Sequence, residues 1–152
     1  MRLAIGSDHA GHRLKEIITA TLLDAGHMID DVGAGSEASV DYPDFAADVA
    51  RRVVSGACDR GILVCGTGIG MAMAANKVDG ARAAPAGDLE SARLARAHND
   101  ANILTLGARI IRPDLALAIV RLFLETPFEG GRHQRRVDKV MTLERRQADV
   151  PR

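Results

Sequence analysis

The sequence predicts an α/β fold, a single Rossmann-like domain over residues 1–152 with three α/β/α layers and a five-stranded parallel sheet. Three observations carry that expectation. Short apolar runs alternate with helical patterns five times along the chain, the signature of repeated β-α units. The run Gly61-Ile62-Leu63-Val64-Cys65 is continuously apolar, as suits a strand covered on both faces. It leads straight into Gly66-Thr67-Gly68-Ile69-Gly70 and an Ala-rich helical stretch ending near Lys77.

The elements follow in order. Leu3-Ala4-Ile5 reads as the first strand, and Leu14, Ile17, Ile18, Thr21, Leu22 and Ala25 fall on one face of the helix after it. Gly26 suits that helix's stop, and His27 to Val32 reads as the second strand. Asp44 is placed to cap a helix with Phe45, Val49, Ala50 and Val53 inward, ended by Gly56. After the third strand and its glycine loop come a weak strand, Arg82 to Pro85, and a helix from about Asp88 to His98. The fifth strand spans Ile103 to Leu106. Pro113 suits the first position of a helix carrying Leu115, Ala118, Ile119, Leu122 and Phe123 inward. Beyond Pro127-Phe128-Glu129-Gly130-Gly131, a polar helix spans roughly Arg132 to Gln147. No linker, repeat or low-complexity stretch divides the chain.

Composition narrows the function classes. The 152 residues carry 20 basic and 20 acidic side chains, so the sustained basic excess of a nucleic-acid or membrane-surface protein is missing. Trp is absent and aromatics are 3%, which leaves no platform for stacking bases. Leu115 to Val120, the longest apolar run, is too short to span a bilayer. No signal-peptide core precedes Ser7-Asp8-His9, so the expected location is the cytoplasm, with Cys58 and Cys65 as reduced thiols. The neutral total conceals a bias, however: 17 of the 20 cations are Arg, and six lie between Arg132 and Arg152 against three acids. Arg is the cation suited to bidentate binding of oxyanions.

In parallel sheets ligands sit outside the carboxyl ends of the strands, so chemistry is sought just after each one. Cys65 to Gly70 is the sharpest candidate. Its three alternating glycines let backbone N–H groups approach an anion, the following helix points its positive end there, and Cys65 can act as base or nucleophile. The alternative is a tight strand-helix turn around an inert Cys. The loop is neither a P-loop nor a G-x-G-x-x-G fingerprint, although Asp88, about twenty residues on, leaves a degenerate dinucleotide site open. Asp8-His9, with His12 a helical turn beyond, could cap the first helix, bind substrate or contribute to a metal site. Arg132 and Arg136, four apart, could clamp a phosphate or form a solvated face. His98-Asn99 ends a helix, where capping competes with catalysis, and Arg109 follows the last strand. A base beside a preorganised oxyanion site is what proton abstraction next to a carbonyl requires. With arginines to hold a phosphate and a His to move hydroxyl protons, the set describes an aldose–ketose isomerase working on a sugar phosphate through an enediolate.

The same residues resemble a known family. Asp8-His9-Ala10-Gly11, Cys65-Gly66-Thr67-Gly68-Ile69-Gly70, Ala74-Ala75-Asn76-Lys77, His98-Asn99-Asp100 and Gly130-Gly131-Arg132-His133-Gln134-Arg135-Arg136 look like those of ribose-5-phosphate isomerase type B, in the same order across the whole chain. The wider group includes galactose-6-phosphate and allose-6-phosphate isomerases. The resemblance implies Cys65 as the general base between C1 and C2, with Gly66, Thr67, Gly68, Ile69 and Gly70 stabilising the enediolate oxygens. It implies His98 in opening the furanose ring, Asp8 and Asn99 on sugar hydroxyls, and His9, Arg109, Arg132 and Arg136 on the phosphate. It implies no metal or organic cofactor, and a homodimer, or a tetramer of such dimers, whose active sites are shared through a C-terminal helix reaching the partner. One branch of the family uses a Glu after the glycine loop; here Met71-Ala72-Met73 offers no carboxylate. A hexose or tetrose phosphate is the alternative substrate, and a non-catalytic nucleotide-binding module the alternative of a different class.

Overall fold

The computed structural model describes residues 1–148; the last four residues of the expected domain, 149–152, lie outside it. In chain order the elements are β1 (Arg2–Ser7), α1 (His12–Asp24), β2 (Met28–Asp31), α2 (Tyr42–Val54), β3 (Arg60–Cys65) and α3 (Ile69–Ala75), then β4 (Ala83–Pro85), α4 (Leu89–Ala97), β5 (Ile103–Gly107), α5 (Pro113–Glu125) and α6 (Arg132–Ala148). The five strands form one parallel sheet in the order β2-β1-β3-β5-β4. The continuously apolar β3 is its centre, and Ile62, Leu63 and Val64 are wholly buried.

Alternation along the strands builds two cores. Leu3, Ile5, Ile62, Val64, Leu104 and Leu106 face α1, α4 and α5. Ala4, Leu63, Cys65 and Ile103 face α2 and α3. The expected three layers and five parallel strands are therefore present. The weak fourth strand is real but three residues long, and it lies at an edge. There the Asn76 side-chain amide donates to Ala83 O at 2.9 Å while its Oδ1 accepts the Ala83 N–H at 2.7 Å.

Three local expectations need correction. The cap of α2 is Asp41, in extended backbone, because Pro43 fits the first helical turn and draws the helix start upstream of Asp44. Asp44 instead lies inside that turn, where its charge complements the helix N-terminus. On α5 the buried residues are Ala116, Ile119, Val120 and Phe123, so the inward face is rotated from the one expected. On α1 the buried residues are Leu14, Lys15, Ile18 and Leu22, whereas Ile17 is 41% exposed. The cause is Lys15, whose stem packs with the apolar residues and whose ammonium meets Asp31 at the end of β2 and Glu16 at 2.9 Å.

Burial opposes the Lys15 ammonium, but the bonds from Asp31 and Glu16 outweigh it and hold the group above its ordinary 10.5. Asp31→Asn is expected to cost about 2–3 kcal/mol in urea unfolding, less than a fully enclosed broken pair because the Asp31 side chain is 35% exposed. Lys15→Met removes the charge with its need for partners and is expected to cost under ~1.5 kcal/mol. A raised ammonium stabilises the fold below its unfolded pKa and ceases to as pH climbs through the folded one. The wild type should thus lose stability relative to Lys15→Met only above about pH 10.5.

Candidate active site

At the carboxyl edge of the sheet, β1 hands over to a turn sewn onto its neighbour: the Asp8 N–H donates to Val64 O at 3.2 Å. The Asp8 carboxylate accepts the Gly11 N–H at 3.0 Å and is nearly buried, which fixes the entry to α1. His9 Nδ1 accepts the Val40 N–H at 3.3 Å, and His12 Nδ1 lies 2.8 Å from Ala34 O. Each of the three is held by a different backbone group, so they do not converge as the ligands of one metal ion would.

Next to this turn, Cys65 ends β3 level with Gly107 of β5. Cys65 is 5% exposed, and its Sγ accepts the Gly68 N–H at 3.1 Å. Gly68 has φ +80°, and a Cβ there would lie 3.0 Å from the Leu106 backbone. Glycine is required at that point for both reasons. The Gly68 carbonyl accepts the buried Thr105 hydroxyl at 2.8 Å, which pins the loop to β5. Thr67 Oγ1 accepts the Ile69 N–H at 3.2 Å, leaving its own hydroxyl hydrogen to donate outward. Arg109 completes the group: its N–H donates to Gly66 O at 3.0 Å, and a methyl placed on Gly66 would stand 3.2 Å from the guanidinium. Asp8, His9, Cys65, Gly66, Thr67, Gly68, Ile69, Gly70 and Arg109 thus gather at one edge. Tyr42, whose ring lies so close that a methyl on Gly70 would meet it at 2.7 Å, joins them. Its signal in the sequence was only that it is the chain's single Tyr, in the loop after the second strand.

His98, Asn99, Arg132 and Arg136 lie elsewhere. Helix α4 runs back against the strands, so its C-cap, His98, is delivered to the amino edge. From there β5 travels about 13 Å, four residues, before it reaches Gly107 beside Cys65. The His98 ring stacks on His133 with centroids 4.0 Å apart and planes 10° apart. Glu129 Oε2 lies 3.7 Å from His98 Nε2 and 3.6 Å from His133 Nε2. Burial, then the neighbouring His98 and Arg132, push His133 below its ordinary value. Asp100, at φ +46°, takes Arg82 at 3.1 Å and Arg96 at 2.8 Å and so anchors the turn that carries His98-Asn99. Asn99 and Arg136 line a cavity of about 820 Å³ between α6 and the β4–α4 edge, with Arg82, Val137 and Val140.

Among the described residues, His98, Glu129 and His133 are the three potential metal ligands whose donor atoms come within 4.8 Å of one another. The stacked rings argue against an ion there, since the in-plane lone pairs of two parallel rings run side by side instead of meeting. Sequence pattern alone assigns no role to Glu129 or His133, although both stand in the glycine-rich run before and into the last helix. The dinucleotide alternative also needs correction. Asp88 caps α4 by accepting the Ser91 N–H at 2.7 Å, a bond that holds its carboxyl below the usual range, so its carboxylate serves the helix and not a ribose.

Comparison with known proteins places the chain among sugar-phosphate isomerases. Residues 3–140 match the family model described as ribose/galactose isomerase. The chain is 44% identical over 145 residues to ribose-5-phosphate isomerase B of Escherichia coli (strain K12), covering 95% of this chain and 97% of that protein. It superposes on the ribose-5-phosphate isomerase B of Clostridium thermocellum with a TM-score of 0.96 at 50% identity, over 97% of this chain and 99% of that one. The enzyme from Mycoplasma genitalium, solved with bound ribulose-5-phosphate, gives a TM-score of 0.91 at 45% identity over 95% and 96% of the two chains.

The loop geometry makes Gly68 a sensitive position. Gly68→Ala is expected to cost ~1–3 kcal/mol in urea unfolding, because the new Cβ meets both a left-handed φ and the Leu106 backbone. Gly35→Ala, where a Cβ meets nothing within 4 Å, should stay within about 0.5 kcal/mol of wild type.

Proposed function

The chain belongs to the ribose/galactose isomerase family, and on that premise we propose that it interconverts D-ribose 5-phosphate and D-ribulose 5-phosphate by proton transfer through an enediolate. The observation that carries this is the Cys65 sulfur at the end of the central strand, held by the Gly68 N–H within a loop of backbone donors and flanked by Arg109. Cys65 removes the proton from C2 of the open-chain aldose and returns it to C1. As negative charge grows on the C1 and C2 oxygens, the loop N–H groups and the Thr67 hydroxyl are already oriented and need no reorganisation. Asp8 and Asn99 hold sugar hydroxyls, and His9 and Arg109 receive the phosphate with Arg132 and Arg136. His98 moves a proton during opening of the furanose ring.

One chain cannot assemble that set, because His98, Asn99, Arg132 and Arg136 stand at the edge of the sheet opposite Cys65. A twofold dimer supplies them: each copy offers its Cys65 loop and receives the α4 turn and the α6 face of the other. Helix α6 suits this task, since Val140 and Leu143 on it are exposed while Val137 is buried against its own chain. The enzyme works in the cytoplasm, with Cys58 and Cys65 both free thiols.

Purified protein is expected to isomerise ribose 5-phosphate with a chelator present, and more efficiently by kcat/KM than hexose or tetrose phosphates. Cys65→Ala should lower kcat at least ~100-fold, the scale of a general base, and near-normal turnover would remove Cys65 from that role. Arg132→Ala and Arg136→Ala should each raise KM for the sugar phosphate about tenfold or more, as expected for a lost charged hydrogen bond.

A further inference from the structure

We propose that Glu129 is a positioning residue for ring opening, holding His98 and His133 as a stacked pair that carries a single positive charge. This rests on the proposed function, in which His98 acts on the furanose ring.

The backbone sets the arrangement. The Glu129 N–H donates to Ala97 O at 3.0 Å, so the backbone that carries the carboxylate is tied to the residue immediately before His98. Gly130 and Gly131 then take φ of +63° and +55°, two successive left-handed residues that turn the chain sharply into α6. The turn brings His133 back over the His98 ring. Both Nε2 atoms come within 3.7 Å of one carboxylate oxygen, in ion-pair range but beyond a hydrogen bond.

Two imidazoles 4.0 Å apart sharing one carboxylate cannot both be charged at low cost. His133 is 6% exposed, with Arg132 and Arg136 nearby on α6, whereas the His98 side chain is 36% exposed with Glu90 of α4 on its side. Arg93 of α4 is the cation facing Glu129. Of the two rings His98 is the one a substrate can reach, and in the proposed pair it carries the shared charge opposite Glu129. With Nε2 turned to the carboxylate, Nδ1 of His98 is the nitrogen left for a sugar. In opening the ring the C1–O4 bond breaks, the C1 hydroxyl loses its proton to water as C1=O forms, and O4 takes a proton from His98 Nδ1.

The test uses the chemistry of the two sugars. Ribulose 5-phosphate is open-chain, since the hydroxyl that would close a five-membered ring on C2 bears the phosphate. Exchange of its C1 hydrogen with deuterium from solvent needs the base but no ring opening. In Glu129→Gln, turnover of ribose 5-phosphate is expected to fall about tenfold to a hundredfold, with KM within threefold. Deuterium exchange into ribulose 5-phosphate should stay within about threefold of wild type, and the alkaline limb of the forward pH profile should move to lower pH. Glu129→Asp, which keeps the charge, should recover most of the forward rate. Equal loss of both reactions in Glu129→Gln, no loss of either, or no recovery in Glu129→Asp would overturn the proposal. A wild type that exchanges but does not isomerise, or does neither, would overturn the proposed function itself and this inference with it.

Discussion

In a parallel sheet every strand delivers its last residue to one edge, and here that edge receives Ser7 level with Val64 and, one residue further, Cys65 level with Gly107. The hydrogen-bonded register of β1, β3 and β5 is thus what sets a thiol, a turn carrying Asp8 and His9, and a loop carrying Arg109 in one place. The register also limits the site. Helices connecting parallel strands must run backwards, so a residue that ends a helix is carried to the far edge. His98 ends α4, and α6 begins from a segment bonded to that same helix end through Glu129. Strand direction alone therefore separates these residues from Cys65 within one chain, which is what the proposed sharing between copies has to overcome.

Much of this was legible in the residues. The β-α alternation, the central place of Gly61 to Cys65 and the strand-loop-helix around Gly68 all come from local pattern, and local pattern is what the structure uses there. The misses have two causes, one local and one tertiary. Asp44 looked like a cap because its residue type is right, but Pro43 has no N–H and a fixed φ, and that moved the helix start. The apolar pattern of the first helix gives Lys15 no inward place, and its burial is visible only with Asp31 brought alongside by β2. Glu129 and His133 are near His98 only because the chain reverses at two left-handed glycines, a tertiary fact that spacing does not encode. The motif residues were readable singly; that they divide between two edges of the sheet was not.

The arginine bias also resolves into parts. Arg2 pairs with Asp30, Arg13 with Glu37, Arg52 with Asp48 and Asp30, and Arg93 with Glu90, while Arg82 and Arg96 share Asp100. Arg51, Arg60, Arg109, Arg121, Arg132, Arg135 and Arg136 have no carboxylate partner within 4.0 Å among the described residues, and Arg109, Arg132 and Arg136 of these are the ones proposed for the phosphate.

The grip of Asn76 on β4 has a bearing on how copies of the chain can meet. In β4 the groups of Ala84 and the following Ala86 N–H turn inward to β5, so only Ala83 and Pro85 present backbone outward. Asn76 occupies both groups of Ala83, and Pro85 has no N–H to offer. A visiting strand would find almost no donor there to bond to, which closes this border to continuation of the sheet across molecules. Association on this side is left to side chains and helices, a mode that can be selective for shape and charge where strand addition would accept nearly any extended peptide.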